Sequence, residues 1–149
     1  MDIKGWLARL MEDRAEVHSV PAEPLEAAGL NFGTAIEAHQ KWKMRLQAVI
    51  ESKSQEKLDP NLVCLDDQCD LGKWIYGEGG RQFGGEPKFA DLRDKHAYFH
   101  VCAGRVLSLA QSGHKDQAIG EISPGGEFAQ ASWEVIGDLA SMFTRLKEM

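Results

Sequence analysis

The chain has 149 residues, 43% of them apolar and 27% charged, with a formal net charge of −6. This is one domain's worth of sequence with apolar content for a single core, which excludes a disordered chain. The acidic balance, without any Lys/Arg stripe, excludes a nucleic-acid surface, and no apolar run approaches the ~20 residues needed for membrane insertion. The first nineteen residues carry acidic side chains and lack an apolar signal core, so a cytoplasmic protein is expected. The three cysteines, Cys64, Cys69 and Cys102, are an odd number. In a reducing compartment they point to metal or redox chemistry rather than to a disulfide framework.

In chain order, Ile3, Trp6, Leu7, Leu10 and Met11 recur at helical spacing, so residues 2–17 are expected to form an amphipathic helix. Pro21, Pro24 and Gly29 break the pattern, and residues 1–30 read as an N-terminal helix and linker ahead of a main body over residues 31–149. Packing of that helix on the bundle and docking to a partner are both open readings. Asn31 is a good N-cap for a helix whose apolar seam runs Phe32, Ile36, His39, Lys43, Leu46 and Ile50. Asp59-Pro60 predicts a short helical turn with proline in its first position. A second short helix is expected from Cys69 to Tyr76, and the glycines at 77, 79, 80, 84 and 85 predict an irregular stretch. A long helix is expected from Pro87 to about Gln111, closed by Gly113, and a short helix or loop from His114 to Ser123. The last helix has Phe128, Ser132, Ile136, Leu139, Phe143 and Leu146 as its inner stripe. No strand pattern is evident. The fold class is therefore all-α: an antiparallel, four-helix-type bundle with a short ligand-bearing helix and an N-terminal helical extension.

His96 and His100 stand four apart on a helical segment, which aims both imidazoles the same way about one turn apart. Such a pair often belongs to ordinary surface or to a hydrogen-bonded core. A metalloprotease would need glutamate directly after the first histidine, and Ala97 occupies that position. His39 lies on an apolar seam, where its nitrogens must be satisfied by a core hydrogen bond or a ligand. Cys69 begins a short helix whose positive end favours thiolate. Three imidazoles and one thiolate make a closed four-coordinate shell that suits one zinc ion per chain. A closed shell with no accompanying general base argues against an enzyme.

The run from Cys69 through Leu71, Gly72 and Trp74 to Gly79 resembles the C-x-L-G-x-W signature of the chemoreceptor zinc-binding domain, CZB. His39, His96 and His100 supply that family's three histidines in order. The resemblance covers residues 31–149 and implies that His39, Cys69, His96 and His100 are the zinc ligands. It further implies a bacterial, cytoplasmic, homodimeric helical module serving chemoreceptors or diguanylate cyclases. Such a module would respond to zinc level or to hypochlorous acid, with Cys69 as the oxidisable group. The sequence shows neither a methyl-accepting coiled coil nor a cyclase domain. The chain is thus expected to act as a free-standing regulatory module on a signalling partner in trans. A zinc-stapled structural dimer or adaptor without a sensing role is the alternative.

The remaining candidates have plainer readings. Cys64 is expected to be an inert thiol, though it could resolve an oxidised Cys69. Cys102, roughly 200° around the helix from His100, is expected in the core. His18 and His114 read as solvated linker residues, Trp74 as packing for the short helix, Gly72 as a point of close approach, and Trp42 and Trp133 as core or dimer contacts.

Overall fold

The computed structural model describes residues 25–148. The helix expected over residues 2–17, and His18 with it, lie outside the described residues. The packed body starts earlier than Asn31. Leu25 and Leu30 are buried, and between them a two-strand hairpin forms from β1, Glu26–Ala27, and β2, Leu30–Asn31. Its pairs are Glu26 with Asn31 and Ala27 with Leu30. The connecting residues Ala28 and Gly29 both have positive φ, +52° and +85°, the combination whose twist suits a two-residue hairpin loop. Such a short pairing leaves no alternating pattern for sequence to reveal.

Helix α1, Phe32–Ile50, starts as expected at Asn31, whose side-chain oxygen accepts from the Thr34 N–H at 3.1 Å. It buries Phe32, Ala35, Ile36, His39, Leu46 and Ile50, with Lys43 only partly covered. Helix α2, Pro60–Val63, is capped by the Asp59 carboxylate, and α3, Asp70–Ile75, has Cys69 as its N-cap. The stretch expected to be irregular instead contains a helix, α4, Glu78–Phe83. Gly79 lies under the Trp74 indole, where an added Cβ would sit 2.7 Å from the ring. Glycine there serves close packing, and an Arg81–Glu78 ion pair at 2.6 Å staples the turn.

Helix α5, Pro87–Gln111, has the expected bounds and ends at Gly113 with φ +86°. The segment after it forms α6, Lys115–Ile122, and α7, Glu127–Lys147, completes the chain. The inner face of α7 is wider than the expected stripe. Ala131, Val135, Ala140 and Met142 are buried beside Phe128, Ile136, Leu139 and Phe143, while Ser132 and Leu146 are only partly covered. The cause is that α7 packs against α1, α5 and α6, so more than one stripe is buried. Helix α5 is central and touches α1, α2, α6 and α7. The all-α bundle is thus the fold, with Phe32 against Phe143 (ring centroids 5.6 Å apart) and Phe99 against Phe128 (5.3 Å) inside it. Among the described residues no helix is long and apolar enough to cross a membrane.

Candidate metal centre

The three histidines arrive from two long helices. His39 sits midway along α1, and His96 and His100 stack one turn apart on the facing side of α5. All three are buried, at 1%, 0% and 3% exposure, so the ordinary-surface reading fails. Cys69 comes from the N-cap of α3, and its sulfur accepts from the Gly72 N–H at 3.4 Å. Gly72 allows this placement. A Cβ there would overlap the Asp66 carbonyl, because the loop ahead of Cys69 lies directly on the first turn of α3. Tyr76 clamps the same loop by donating its hydroxyl to Asp66 at 2.5 Å.

One ligand atom from each of His39, Cys69, His96 and His100 lies within 4.8 Å of the others, a group able to hold a metal ion. The His96 Nε2 is 3.1 Å from the Nε2 of His39 and 3.1 Å from that of His100. The Cys69 sulfur is 3.3 Å from His96 Nε2 and 3.6 Å from His100 Nε2. Zinc bonds of ordinary length in a tetrahedron would give edges of roughly 3.3 Å between nitrogens and roughly 3.6 Å between nitrogen and sulfur. The donor set therefore fits such an ion.

The protons favour the same conclusion. His39 Nδ1–H donates to the Ala35 carbonyl at 2.7 Å, and His100 Nδ1–H donates to the Val63 carbonyl at 3.0 Å. A carbonyl can only accept, so each ring turns an Nε2 lone pair toward the centre. The core hydrogen bond considered for His39 is thus present, and it orients the ring instead of replacing a ligand role. His96 Nε2 can offer a proton to only one of its three neighbours, His39, His100 and Cys69. Its Nδ1 is buried with no hydrogen-bond partner among the described residues. Converging lone pairs in a buried site are costly without a cation among them.

Burial also keeps the rings neutral. It is the main force pushing the His39 pKa down to about 4, with the His100 charge adding to it and the Ala35 hydrogen bond opposing. Burial first, then the charges of His39 and His100, lower His96 to about 2. His100 is lowered by burial too, opposed by the Val63 hydrogen bond and the Asp66 charge. The Cys69 thiol is pushed up by burial, against the pull of the Gly72 and Leu71 amides. The helix terminus expected to favour thiolate is therefore outweighed by desolvation, and a cation at the centre would supply the missing stabilisation.

Residues 39–107 match the family model described as the chemoreceptor zinc-binding domain. Over that stretch the chain is similar to this domain, CZB. No curated protein and no solved structure matches this chain. The CZB match begins at His39 and ends at Leu107, so it spans all four clustered residues, helices α2 to α4 and most of α5. The hairpin, the start of α1, and helices α6 and α7 lie outside the matched range.

Around the cluster, Leu71 and Trp74 are buried and fix α3 to the bundle. The Trp74 ring meets Phe32, Phe83 and Phe89. Cys64 is half-buried and points its sulfur to the Asn61 carbonyl at 3.5 Å. Cys102 is buried in the core. His114 is exposed, 2.9 Å from the Ser112 hydroxyl. Trp42 and Trp133 are partly buried, with the Arg45 guanidinium over the Trp42 ring. Sequence reasoning missed the Ala35 and Val63 carbonyls. Backbone acceptors leave no residue-type signal; only the i−4 spacing of Ala35 from His39 could have suggested the first.

Proposed function

We propose that this chain is a zinc-binding regulatory module, holding one zinc ion per chain through His39, Cys69, His96 and His100, with the Cys69 thiolate as its switch. The observation that carries the reading is the convergence of the Nε2 atoms of His39, His96 and His100 and the Cys69 sulfur, with His96 Nε2 3.1 Å from each of the other two nitrogens and the sulfur 3.3 and 3.6 Å from His96 and His100. Four protein donors complete the shell and leave no position for a water, which favours a sensor or staple over an enzyme.

Cys69 is half-buried, unlike the three rings, so it is the donor an oxidant reaches first. A thiolate gives an electron pair to hypochlorous acid, becoming a sulfenic acid while chloride leaves as the reduced product. Losing that sulfur removes one donor in four and frees the N-cap of α3, so the moving element would be residues 66–76. Zinc loss alone would release the same element. The output would reach a signalling protein in trans, such as a chemoreceptor or diguanylate cyclase pathway, from a cytoplasmic homodimer.

The near-complete burial of the rings also favours a second reading, a zinc-stapled structural dimer or adaptor. Metal analysis with hypochlorous acid titration separates the two. A sensor holds one zinc per chain, releases it at about one oxidant equivalent, and loses that response in Cys69→Ser. Zinc retained through stoichiometric oxidant supports the staple, and purified protein that takes up no zinc ends both readings.

A further inference from the structure

Helix α3 has a second attachment besides the metal centre. Five residues after Cys69, the Trp74 Nε1–H donates to the Ala28 carbonyl at 2.8 Å, reaching the tip of the β1–β2 hairpin. The indole also packs edge-on against Phe32, with ring centroids 5.9 Å apart, and the Phe32 N–H donates to the Leu25 carbonyl at 2.7 Å. One side chain on a six-residue helix therefore touches both the hairpin tip and the residue that anchors its base.

The hairpin tip has little stability of its own. Two residue pairs are too few to hold a hairpin, and the first loop position is filled by Ala28 at φ +52°. Alanine is poorly suited to that left-handed conformation, where asparagine is favoured. The side chains of Leu25 and Leu30 fix the ends in the core. At the tip, among the described residues, a Cβ on Gly29 would meet only Trp74 and Glu78, at 3.9 and 3.7 Å. The loop thus rests on α3 and α4.

We propose that Trp74 couples the metal centre to this hairpin, so that release of Cys69 loosens the Ala28–Gly29 turn. The inference rests on the metal-binding reading above and adds where the change of state is delivered. A six-residue helix does not persist alone. Losing the bond at its N-cap shifts α3, and the indole N–H can then no longer hold the Ala28 carbonyl.

Amide hydrogen exchange on the full chain, zinc-loaded and after chelation, tests this, with zinc content measured on the same samples. Chelation should speed exchange in residues 26–31 roughly five-fold or more, the loss of about one hydrogen bond's net worth, together with residues 66–76. Helices α5 and α7 should stay protected. Trp74→Phe should still bind zinc, while exchange in 26–31 stays fast with or without it. Should that variant fold poorly, Ala28→Asn provides an independent check: a turn stable by itself keeps 26–31 protected after chelation. The proposal is overturned if a zinc-binding protein shows unchanged exchange in 26–31 on chelation, if all helices loosen equally, or if Ala28→Asn retains the full wild-type difference. Failure to bind zinc at all would instead sink the metal reading beneath it.

Discussion

The Nδ1–H of His100 donates to the Val63 carbonyl at 3.0 Å, tying a ring of the donor cluster to the last turn of α2. His39 is tied in the same way to Ala35, whereas the buried His96 Nδ1 has no such tie among the described residues. The three rings therefore differ in what they contribute to the metal-free protein. His39 and His100 each satisfy a backbone acceptor, and His96 brings a desolvated polar ring with one unpaired nitrogen.

Replacing His96 by an apolar side chain of similar volume should accordingly separate stability from metal binding. In His96→Leu, zinc uptake should be lost, while the metal-free protein should change little in stability, because removal of the unsatisfied Nδ1 offsets loss of the one hydrogen bond that Nε2 can donate within the cluster. In His100→Leu, by contrast, the Val63 carbonyl is orphaned and the metal-free protein should be less stable than His96→Leu. Urea unfolding of the three chelated proteins decides this; equal midpoints for both variants would show that the tie to Val63 contributes nothing.

Acid should destabilise the metal-free protein through these same rings. Burial lowers His39 from 6.5 to about 4 and His96 from 6.5 to about 2. Between those values and 6.5 the unfolded chain binds more protons than the folded one, so stability rises with pH across the window. It is whole above about pH 6.5 and drains away as pH falls. His39 alone corresponds to a loss on the order of 3 kcal/mol between pH 6.5 and 4. Thermal melts of chelated protein over that range should show a falling midpoint, and His96→Leu should flatten the slope. A midpoint that rises on acidification would reverse the sign argued here.

Asn31 should matter for stability and not for the centre. Its side chain caps α1 at Thr34, two turns before His39. Asn31→Ala should cost about 1 kcal/mol, visible as a lower melting midpoint, with zinc affinity measured by competition titration unchanged. A large fall in affinity would mean that the start of α1 positions the His39 ring more directly than the helix between them suggests.

Much of this architecture is legible in sequence because its signals are periodic or local. The bounds of α5 follow from Pro87 and Gly113, and the start of α1 from Asn31, since capping chemistry acts within a few residues. The donor set is legible because histidine is rarely placed on an apolar seam without a partner, as at His39. What escaped depends on tertiary contact. Helix α4 forms because Trp74 packs on Gly79, although its glycines taken alone suggest a loop. The inner face of α7 shifts toward Ala131 and Val135 because three helices surround it. The hairpin tip depends on an indole 46 residues further along the chain. The thiol of Cys69 shows the same limit in its chemistry: helix position is readable, but the burial that outweighs it is not.

Gly72 is where sequence motif and centre geometry meet most directly. The Asp66 carbonyl occupies the space a side chain would need, so the loop carrying Asp66 to Cys69 can lie on α3 only with glycine there. Gly72→Ala must push the loop off the helix, and since Cys69 ends that loop, its sulfur moves with it. The bond from the Gly72 N–H to that sulfur at 3.4 Å lengthens in the same displacement. Loss of such support typically weakens metal sites tenfold to a hundredfold, and zinc affinity should fall by roughly that factor while the helices hold. Gly85→Ala is the matched control, because a Cβ there meets nothing within 4 Å. If both variants bind zinc as the parent chain does, the close approach at position 72 does not set the place of the sulfur.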